Sequence, residues 1–211
     1  MIDTGLYLIT DEHAMPHPQL LALVQDLTSH RLVSLVQYRA KTLPYDKQLA
    51  QTQALVEICH QNKALLLVND NLRLALASHA DGVHLGQQDT PITQAREALG
   101  PSAIIGVTCH NSLKKAQQAE AHSADYVAFG RFYPSNTKPT APIAQVDTLR
   151  QAKHTLSIPI VAIGGITPDN GAPLLAAGAD LLAVVGGILS AVNPRLTAHA
   201  YHSLFRMKDK H

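Results

Sequence analysis

The chain has 211 residues, of which 46% are hydrophobic, 16% are charged and only 4% are aromatic, with no tryptophan. This hydrophobic fraction excludes a disordered chain, and the scarcity of aromatic residues favours helices packed on strands over an aromatic-rich β-sandwich. The formal net charge of +1 excludes a protein that coats nucleic acid through an overall basic field.

Short apolar segments alternate with helical patterns along the chain. The predicted strands are residues 6–10, 32–38, 64–69, 82–85, 104–108, 126–130, 160–163 and 181–185. The predicted helices that follow them are residues 18–29, 46–61, 71–78, 91–99, 112–122, 143–154, 167–177 and 197–207. Most of the strands are continuous apolar runs, which are typical of strands buried on both faces of a parallel sheet. No internal sequence repeat is apparent.

Eight similar strand–helix units predict a single α/β domain over residues 1–211 that closes into a (β/α)₈ TIM barrel. Consecutive parallel strands need crossover connections, which the helices supply. An open doubly wound sheet is the alternative, but no long insertion marks a switch of direction. In a barrel of this kind the functional residues lie in the loops after the strands.

A polar and cationic cluster follows the second predicted strand. Gln37, Arg39 and Lys41 alternate along an extended segment, so their side chains would share one side. Two cations there suit a phosphorylated substrate, and the alternative is an exposed strand end with solvated charges.

Two aspartates follow the next two strands. Asn69 and Asp70 end the third strand, and Asp89 follows the fourth. Each aspartate alone could cap the helix that follows it, and Thr90 with Pro91 also has the pattern of a helix start. Together on adjacent strand ends, however, the two carboxylates could hold one Mg²⁺, an ion that combines carboxylate with phosphate oxygens.

The later strands end in residues that suit anions. Thr108 could donate its hydroxyl to phosphate or could simply start a helix, and residues 134–138 could bind an anion or form an ordinary surface loop. The glycine pairs 164–165 and 186–187 let backbone amides approach an anion, although turns need glycine as well. We expect His84 to be packed or hydrogen-bonded and Cys109 to be a small buried residue.

The cysteines and the amino terminus indicate the compartment. Cys59 and Cys109 lie far apart and outside any metal-binding spacing, which fits a reducing compartment and excludes a disulfide framework. The first residues lack the positive charge of a signal peptide, and the uncharged run 181–194 is too short for a membrane span. We expect a cytoplasmic protein without membrane or nucleic-acid partners.

Seven segments in order, each at a strand end, resemble the thiamine-phosphate synthase family. They are residues 37–41, 68–70, 80–89, 105–110, 134–138, 162–166 and 183–188. The resemblance implies a (β/α)₈ transferase of thiamine biosynthesis. It would condense 4-amino-5-hydroxymethyl-2-methylpyrimidine diphosphate with 4-methyl-5-(2-phosphoethyl)thiazole, or the carboxylated precursor of that thiazole, to thiamine phosphate. Diphosphate would be released.

The resemblance also implies roles for individual residues. The pyrimidine diphosphate would be bound by Gln37, Arg39, Lys41, Asn69, Thr108 and Lys138. The thiazole phosphate would be bound by Ser135, Asn136, Thr137, Gly165, Val185 and Gly186. One Mg²⁺ per subunit would be held by Asp70 and Asp89. No protein nucleophile is implied, and Arg39, Lys41 and Lys138 would stabilise the charge on the leaving diphosphate. The family usually has serine where Gly186 stands, so only a backbone amide can serve there.

Two other functions compete with this interpretation. A thiazole tautomerase resembles the synthase but tends to lack the Asn-Asp pair, the aspartates for Mg²⁺ and the Thr-Lys pair, all of which this sequence has. A non-catalytic barrel that binds thiamine precursors would have no use for a pair of aspartates that holds Mg²⁺, because binding alone needs no stabilisation of transition-state charge. The expected partners are small phosphorylated molecules, and a homo-oligomer is compatible with the sequence.

Overall fold

A closed barrel of eight parallel strands, arranged in sequence order, forms the centre of the computed structural model, which describes residues 2–134 and 142–208. The strands are β1 (Gly5–Ile9), β2 (Leu35–Tyr38), β3 (Leu65–Asn69), β4 (Gly82–Leu85), β5 (Ile104–His110), β6 (Tyr126–Phe129), β7 (Ile160–Ile163) and β8 (Leu181–Val184). Strand β1 pairs with both β2 and β8, which closes the sheet. The predicted (β/α)₈ barrel is therefore confirmed.

Helices follow the strands and surround the barrel. They are α1 (His17–Ser29), α2 (Tyr45–Gln61), α3 (Leu72–Ser78), α4 (Ile92–Leu99), α5 (Leu113–Ala121), α6 (Val146–Thr155), α7 (Ala172–Ala176), α8 (Gly186–Leu189) and α9 (Pro194–Lys208). Within residues 2–134 and 142–208, none of the helices is both long and apolar enough to cross a membrane.

Two helices differ most from the prediction, while α6 and α9 begin three residues later and three residues earlier than predicted, at Val146 and Pro194. Helix α7 begins at Ala172 rather than at Thr167, because Asn170 accepts the backbone N–H of Thr167 at 2.8 Å and folds the segment before the helix into a turn. Helix α8 was not predicted, since it begins with two glycines, which are poor helix formers. It lies directly after β8, at the end of the barrel where the functional loops lie.

The protein has two apolar cores, one inside the barrel and one between the strands and the helices. Side chains alternate along each strand, so every second residue points inward. The inner core consists of Tyr7, Ile9, Leu35, Leu67, Tyr126, Ala128, Val161, Leu181 and Ala183. The outer core is larger and mainly aliphatic. The inner core fills the barrel towards its amino-terminal end, and at the carboxyl end Ile9, Ala128 and Val161 share the interior with polar residues.

Three aspartates connect neighbouring strands at the amino-terminal end of the barrel. Each stands just before an even-numbered strand, and one carboxylate oxygen accepts a backbone N–H from the strand before it. The pairs are Asp81 with Leu66, Asp125 with Ile105 and Asp180 with Ile160, at 2.7, 2.7 and 3.0 Å. Each aspartate also pairs with a basic side chain, and these are His60, Arg96 and Lys153.

These aspartates share a short local pattern in the sequence. Each follows an alanine, buried at 124 and 179 and partly buried at 80, so an Ala-Asp pair recurs before β4, β6 and β8, at residues 80–81, 124–125 and 179–180. Two residues are too short a repeat to stand out in the sequence. Only the strand register shows that the three aspartates perform the same task.

Replacing Asp180 by alanine should lower the free energy of unfolding by about 1–3 kcal/mol. The buried backbone N–H of Ile160 would lose its acceptor, and Lys153 would lose its partner. Urea unfolding would measure the change. The matched control is Asp147→Ala, which removes an exposed ion pair with Arg150 and should change the same quantity by less than about 0.5 kcal/mol. Equal effects of the two substitutions would contradict the connecting role of Asp180.

Candidate active site

A cavity of about 360 Å³ opens at the carboxyl ends of the strands. Its volume lies within the range of sites for small molecules. The predicted binding residues that line it are Gln37, Arg39, Asn69, Thr108, Gly165, Val185 and Gly186. The predicted residues Ser135, Asn136, Thr137 and Lys138 lie outside the described residues.

The cavity has a polar half and a largely apolar half. Strands β2 to β5 contribute Gln37, Arg39, Asn69, His84 and Thr108 to its wall. Strands β6 to β8 contribute mainly small or aliphatic side chains and the two glycine pairs, and Arg131 stands after β6. The small or aliphatic side chains are Ala128, Val161, Ile163 and Ala183. Ligands that carry apolar rings between charged groups would match this division.

Arg39, which is partly buried, provides a cationic donor to the polar half. Its backbone N–H donates to the buried hydroxyl of Thr10 at 2.9 Å, which anchors the residue to the end of β1. The Nε of Arg39 is buried and, within the described part of the chain, has no hydrogen-bond acceptor. A buried guanidinium N–H without an acceptor is costly, so an anionic ligand would stabilise this side chain.

Glu12 holds the loop that carries Lys41. The Glu12 side chain is 7% exposed, and its carboxylate accepts the backbone N–H groups of Lys41, Thr42 and Leu43 at 2.7–3.2 Å. Burial alone would raise the pKa of Glu12, but these donors outweigh burial and lower it. Glu12 is not among the predicted site residues, because it follows β1 and its partners lie on the loop after β2, a contact that no pattern in the sequence indicates.

Lys41, Asp70 and Asp89 are outside the wall of the cavity and adjoin it through Asn69. The Nζ of Lys41 lies 3.7 Å from Oδ2 of Asp70, and the side-chain amide of Asn69 donates to the same oxygen. The backbone N–H of Gly86 donates to Oδ2 of Asp89 at 2.8 Å. The structure therefore brings together the cation and the two carboxylates that the sequence placed after separate strands.

The helix-cap alternative for the two aspartates is wrong. Asn71, not Asp70, caps helix α3, because its side chain accepts the backbone N–H of Leu74 at 3.0 Å. Helix α4 has Pro91 at its N-cap position and no side-chain cap, so the predicted cap at Thr90 is also wrong. The carboxylates of Asp70 and Asp89 are thus not needed to start either helix.

The same carboxylates have the properties of a partial site for a divalent cation. Burial raises the pKa of Asp70, and the hydrogen bond and negative charge of Asp89 raise it further, although Lys41 and Asn69 act in the opposite direction. A cation between the two groups would relieve this repulsion. Within residues 2–134 and 142–208 no cluster of three or more acidic, histidine or cysteine side chains could hold a metal. The other ligands of a Mg²⁺ here would be water and phosphate oxygens, as is common for this ion.

The glycines of the apolar half differ in how strictly glycine is required. Gly165 has a φ of +64°, and a Cβ there would lie 2.2 Å from the carbonyl oxygen of Pro134, so no side chain fits. A Cβ at Gly186 would meet only the Oγ of Ser190, at 3.7 Å. A serine, which the family resemblance implies at this position, would therefore fit.

A chain of hydrogen bonds runs through the barrel beneath the cavity. The Nε2 of Gln37 donates to the hydroxyl of Tyr7, which lies 2.9 Å from the hydroxyl of Tyr126. The Tyr126 hydroxyl lies 2.7 Å from Nδ1 of His84, whose Nε2 lies 2.8 Å from Oγ1 of Thr108. His84 is hydrogen-bonded, as expected. The two tyrosines are not among the predicted site residues, because an inward-facing aromatic residue in a strand looks like ordinary core.

Two further residues of the cavity wall, Arg131 and His110, are missing from the predicted set. Arg131 comes two residues after β6 and could have been found as a cation after a strand, but the hydroxyl-rich residues 134–138 draw attention further along the loop. His110 ends β5 with a φ of +55°, a backbone conformation that the sequence does not reveal.

Comparison with known proteins gives one consistent family. The sequence model of the family described as thiamine monophosphate synthase matches residues 6–188. A thiamine-phosphate synthase of Nitrosococcus oceani is 46% identical over 201 residues, which are 95% of this chain and 92% of that protein. One of Saccharophagus degradans is 49% identical over 188 residues, or 89% and 87% of the two chains. The solved thiamine phosphate pyrophosphorylase of Pyrococcus furiosus is 31% identical, with a TM-score of 0.86 and coverage of 97% and 96%.

Replacing Glu12 by alanine should loosen the loop that carries Lys41. The amides of Lys41, Thr42 and Leu43 would lose a charged acceptor, and a hydrogen bond to a charged group contributes ~1.5–3 kcal/mol. Their hydrogen exchange should therefore accelerate about tenfold or more, while exchange in β2 and β3 stays unchanged.

The control is Glu57→Ala, which removes an exposed glutamate of helix α2 and should leave this exchange unchanged. We call the three hydrogen bonds from the loop to Glu12 the clamp. Because the pKa of Glu12 is lowered, the clamp should persist in the native protein as the pH falls through the usual glutamate pKa, and be lost only at more acidic pH. Unaltered exchange at all three amides of the Glu12→Ala variant would contradict the clamp.

Proposed function

Since the chain belongs to the thiamine monophosphate synthase family of transferases, we propose that it condenses 4-amino-5-hydroxymethyl-2-methylpyrimidine diphosphate with a phosphorylated thiazole to thiamine phosphate. The thiazole is 4-methyl-5-(2-phosphoethyl)thiazole or its carboxylated precursor. Diphosphate is the second product, and the carboxylated precursor would also lose its carboxylate as carbon dioxide.

The observation that carries this proposal is the group of charges at one edge of the cavity. Arg39 and Lys41 supply positive charge there, and Asp70 and Asp89 stand beside them. A diphosphate needs cationic donors, and a pair of carboxylates suits a cation shared with phosphate oxygens. A thiazole tautomerase forms no carbon–nitrogen bond and releases no diphosphate, so it would have no use for this edge.

Asp70 and Asp89 would hold one Mg²⁺ per subunit. When bound, the ion would supply positive charge to the oxygens of the diphosphate. The chain itself contributes Arg39 and Lys41, and Lys138 is proposed to join them from outside the described residues. Charge on the leaving group grows as it departs, so these cations stabilise the transition state more than the bound substrate.

The proposed reaction needs no protein nucleophile. The bond between the methylene carbon of the pyrimidine and the diphosphate oxygen breaks, and its electron pair leaves with the diphosphate. The thiazole nitrogen then donates its lone pair to the methylene carbon. Cys109 is unsuited to attack this carbon, because it is buried and burial raises the pKa of its thiol to about 12.

The opposite side of the cavity would receive the thiazole phosphate. Gly165, Val185 and Gly186 line the wall there, and Ser135, Asn136 and Thr137 are proposed to complete the site. Backbone amides at Gly186, where helix α8 begins, are suitable donors to a phosphate. Two anionic groups would then be bound at opposite sides of one cavity, with the uncharged rings between them.

We also propose that the protein acts in the cytoplasm on small phosphorylated molecules. Its two cysteines are free and buried, which suits a reducing compartment. A homo-oligomer is compatible with this function, because the residues proposed for both substrates come from one chain.

Purified protein supplied with both substrates and Mg²⁺ should form thiamine phosphate and an equal amount of diphosphate. Asp89→Asn should lower kcat by about a hundredfold or more, because it removes a charge that the proposed metal site needs. Its free energy of unfolding should stay within about 1 kcal/mol of the parent's, since the amide oxygen can still accept the N–H of Gly86.

Asp46→Asn, an exposed substitution in the first turn of helix α2, is the control and should leave both activity and stability unchanged. Mass spectrometry of the product and a diphosphate assay would measure turnover. Absence of product at ample enzyme and Mg²⁺ would refute the synthase proposal.

A further inference from the structure

The hydrogen-bond chain beneath the cavity connects two residues of the proposed pyrimidine diphosphate site. Gln37 stands at its start and Thr108 at its end, and both line the cavity wall, as do Tyr7 and His84. The three residues between them are Tyr7, Tyr126 and His84. Both tyrosines are fully buried, and His84 is 9% exposed. The mechanism proposed above uses the two ends and leaves the middle without a task.

The strand register shows why this connection forms. Gly106 on β5 pairs with His84 on one side and with Tyr126 on the other. A Cβ on Gly106 would lie 1.9 Å from Cζ of Tyr126, so only glycine leaves room for the ring. The rings of His84 and Tyr126 therefore stack across β5, with their centroids 5.6 Å apart. Tyr126 then reaches Tyr7 across the interior of the barrel.

Counting the available protons shows which group donates in each bond of the hydrogen-bond chain. Gln37 donates to the Tyr7 oxygen, and among the described residues Tyr126 offers the acceptor for the single proton of Tyr7, so Tyr7 donates to Tyr126. Tyr126 in turn donates to Nδ1 of His84. Burial raises the pKa of both tyrosines well above the usual range, so each hydroxyl keeps its proton.

The direction continues to the wall of the cavity. A neutral imidazole that accepts at Nδ1 carries its proton on Nε2, and this N–H faces Oγ1 of Thr108 at 2.8 Å. The Thr108 oxygen therefore accepts from His84, and its own proton is left for another acceptor. Since Thr108 lines the cavity, that acceptor can be an oxygen of the substrate.

We propose that Tyr7, Tyr126 and His84 are positioning residues that transmit the donor direction of the Gln37 amide to Thr108, so that the Thr108 hydroxyl is held as a hydrogen-bond donor to the substrate. The substrate is taken to be the pyrimidine diphosphate, and to that extent the inference rests on the proposed function. If the side chain at position 37 accepted a hydrogen bond from Tyr7 instead of donating one, donor and acceptor would exchange in every bond of the hydrogen-bond chain. Thr108 would then donate to His84 and would offer the substrate only lone pairs.

The reversal can be tested without any catalytic assay, by ¹⁵N NMR of histidine-labelled protein above neutral pH. His84 should be the tautomer protonated on Nε2, and its signals are assigned by their loss in His84→Gln. Gln37→Glu places a carboxylate against Tyr7 and should convert His84 to the tautomer protonated on Nδ1. In Tyr126→Phe, which interrupts the chain, Gln37→Glu should no longer change the tautomer.

Tyr38→Phe is the matched control, because it removes a buried tyrosine hydroxyl that donates to Gln51 on helix α2, outside the cavity. It should leave the His84 tautomer unchanged. An Nδ1-protonated His84 in the parent protein, or an unchanged tautomer in folded Gln37→Glu, would overturn the proposal. These outcomes concern the hydrogen-bond chain alone and do not depend on whether the protein makes thiamine phosphate.

A double-mutant cycle measured by enzyme kinetics provides a second test, in case the buried carboxylate of Gln37→Glu prevents folding. Tyr126→Phe should lower kcat/KM for the pyrimidine diphosphate about tenfold and leave KM for the thiazole phosphate unchanged. In a Thr108→Val background the same substitution should change kcat/KM less than about twofold, and in a Thr108→Ser background it should again cost about tenfold. Equal losses in all three backgrounds would show a structural role and overturn the proposal.

Discussion

Closure of the barrel is the constraint on which the rest of the structure depends. Parallel pairing of β1 with β8 forces eight strand ends, distant in sequence, into one ring. Side chains that follow separate strands then line one cavity or adjoin it. The three aspartates at the opposite end support this closure by connecting neighbouring strands, and they leave the carboxyl ends free to vary.

The ring of strand ends explains how a chain with a net charge of only +1 can be suited to anionic ligands. Arg39 and Lys41 stand together at one edge because one loop carries both and Glu12 holds that loop. Two carboxylates lie beside the cations, so the edge is not simply basic. Local placement therefore decides the ligand, while the overall charge says little about it.

The sequence predicts the barrel well because continuous apolar runs, helix periodicity and glycine pairs are all local signals. It also predicts Gln37, Arg39, Asn69 and Thr108 in the cavity wall, since each comes at the end of a strand. It misses Tyr7 and Tyr126, because their role depends on pairing through Gly106 and across the barrel. Glu12 is missed for the same reason, as its partners lie on another loop. Contacts between strands, rather than patterns within them, carry this part of the site.

The measurement that most directly tests the account is a crystal structure of the protein with thiamine phosphate, diphosphate and Mg²⁺. We expect the diphosphate to lie against Arg39 and Lys41, at the edge formed by Asp70 and Asp89. The phosphate of the thiazole should lie on the other side, against the backbone at Gly165 and Gly186. Both anions on one side of the cavity, or a diphosphate away from the two aspartates, would contradict the account.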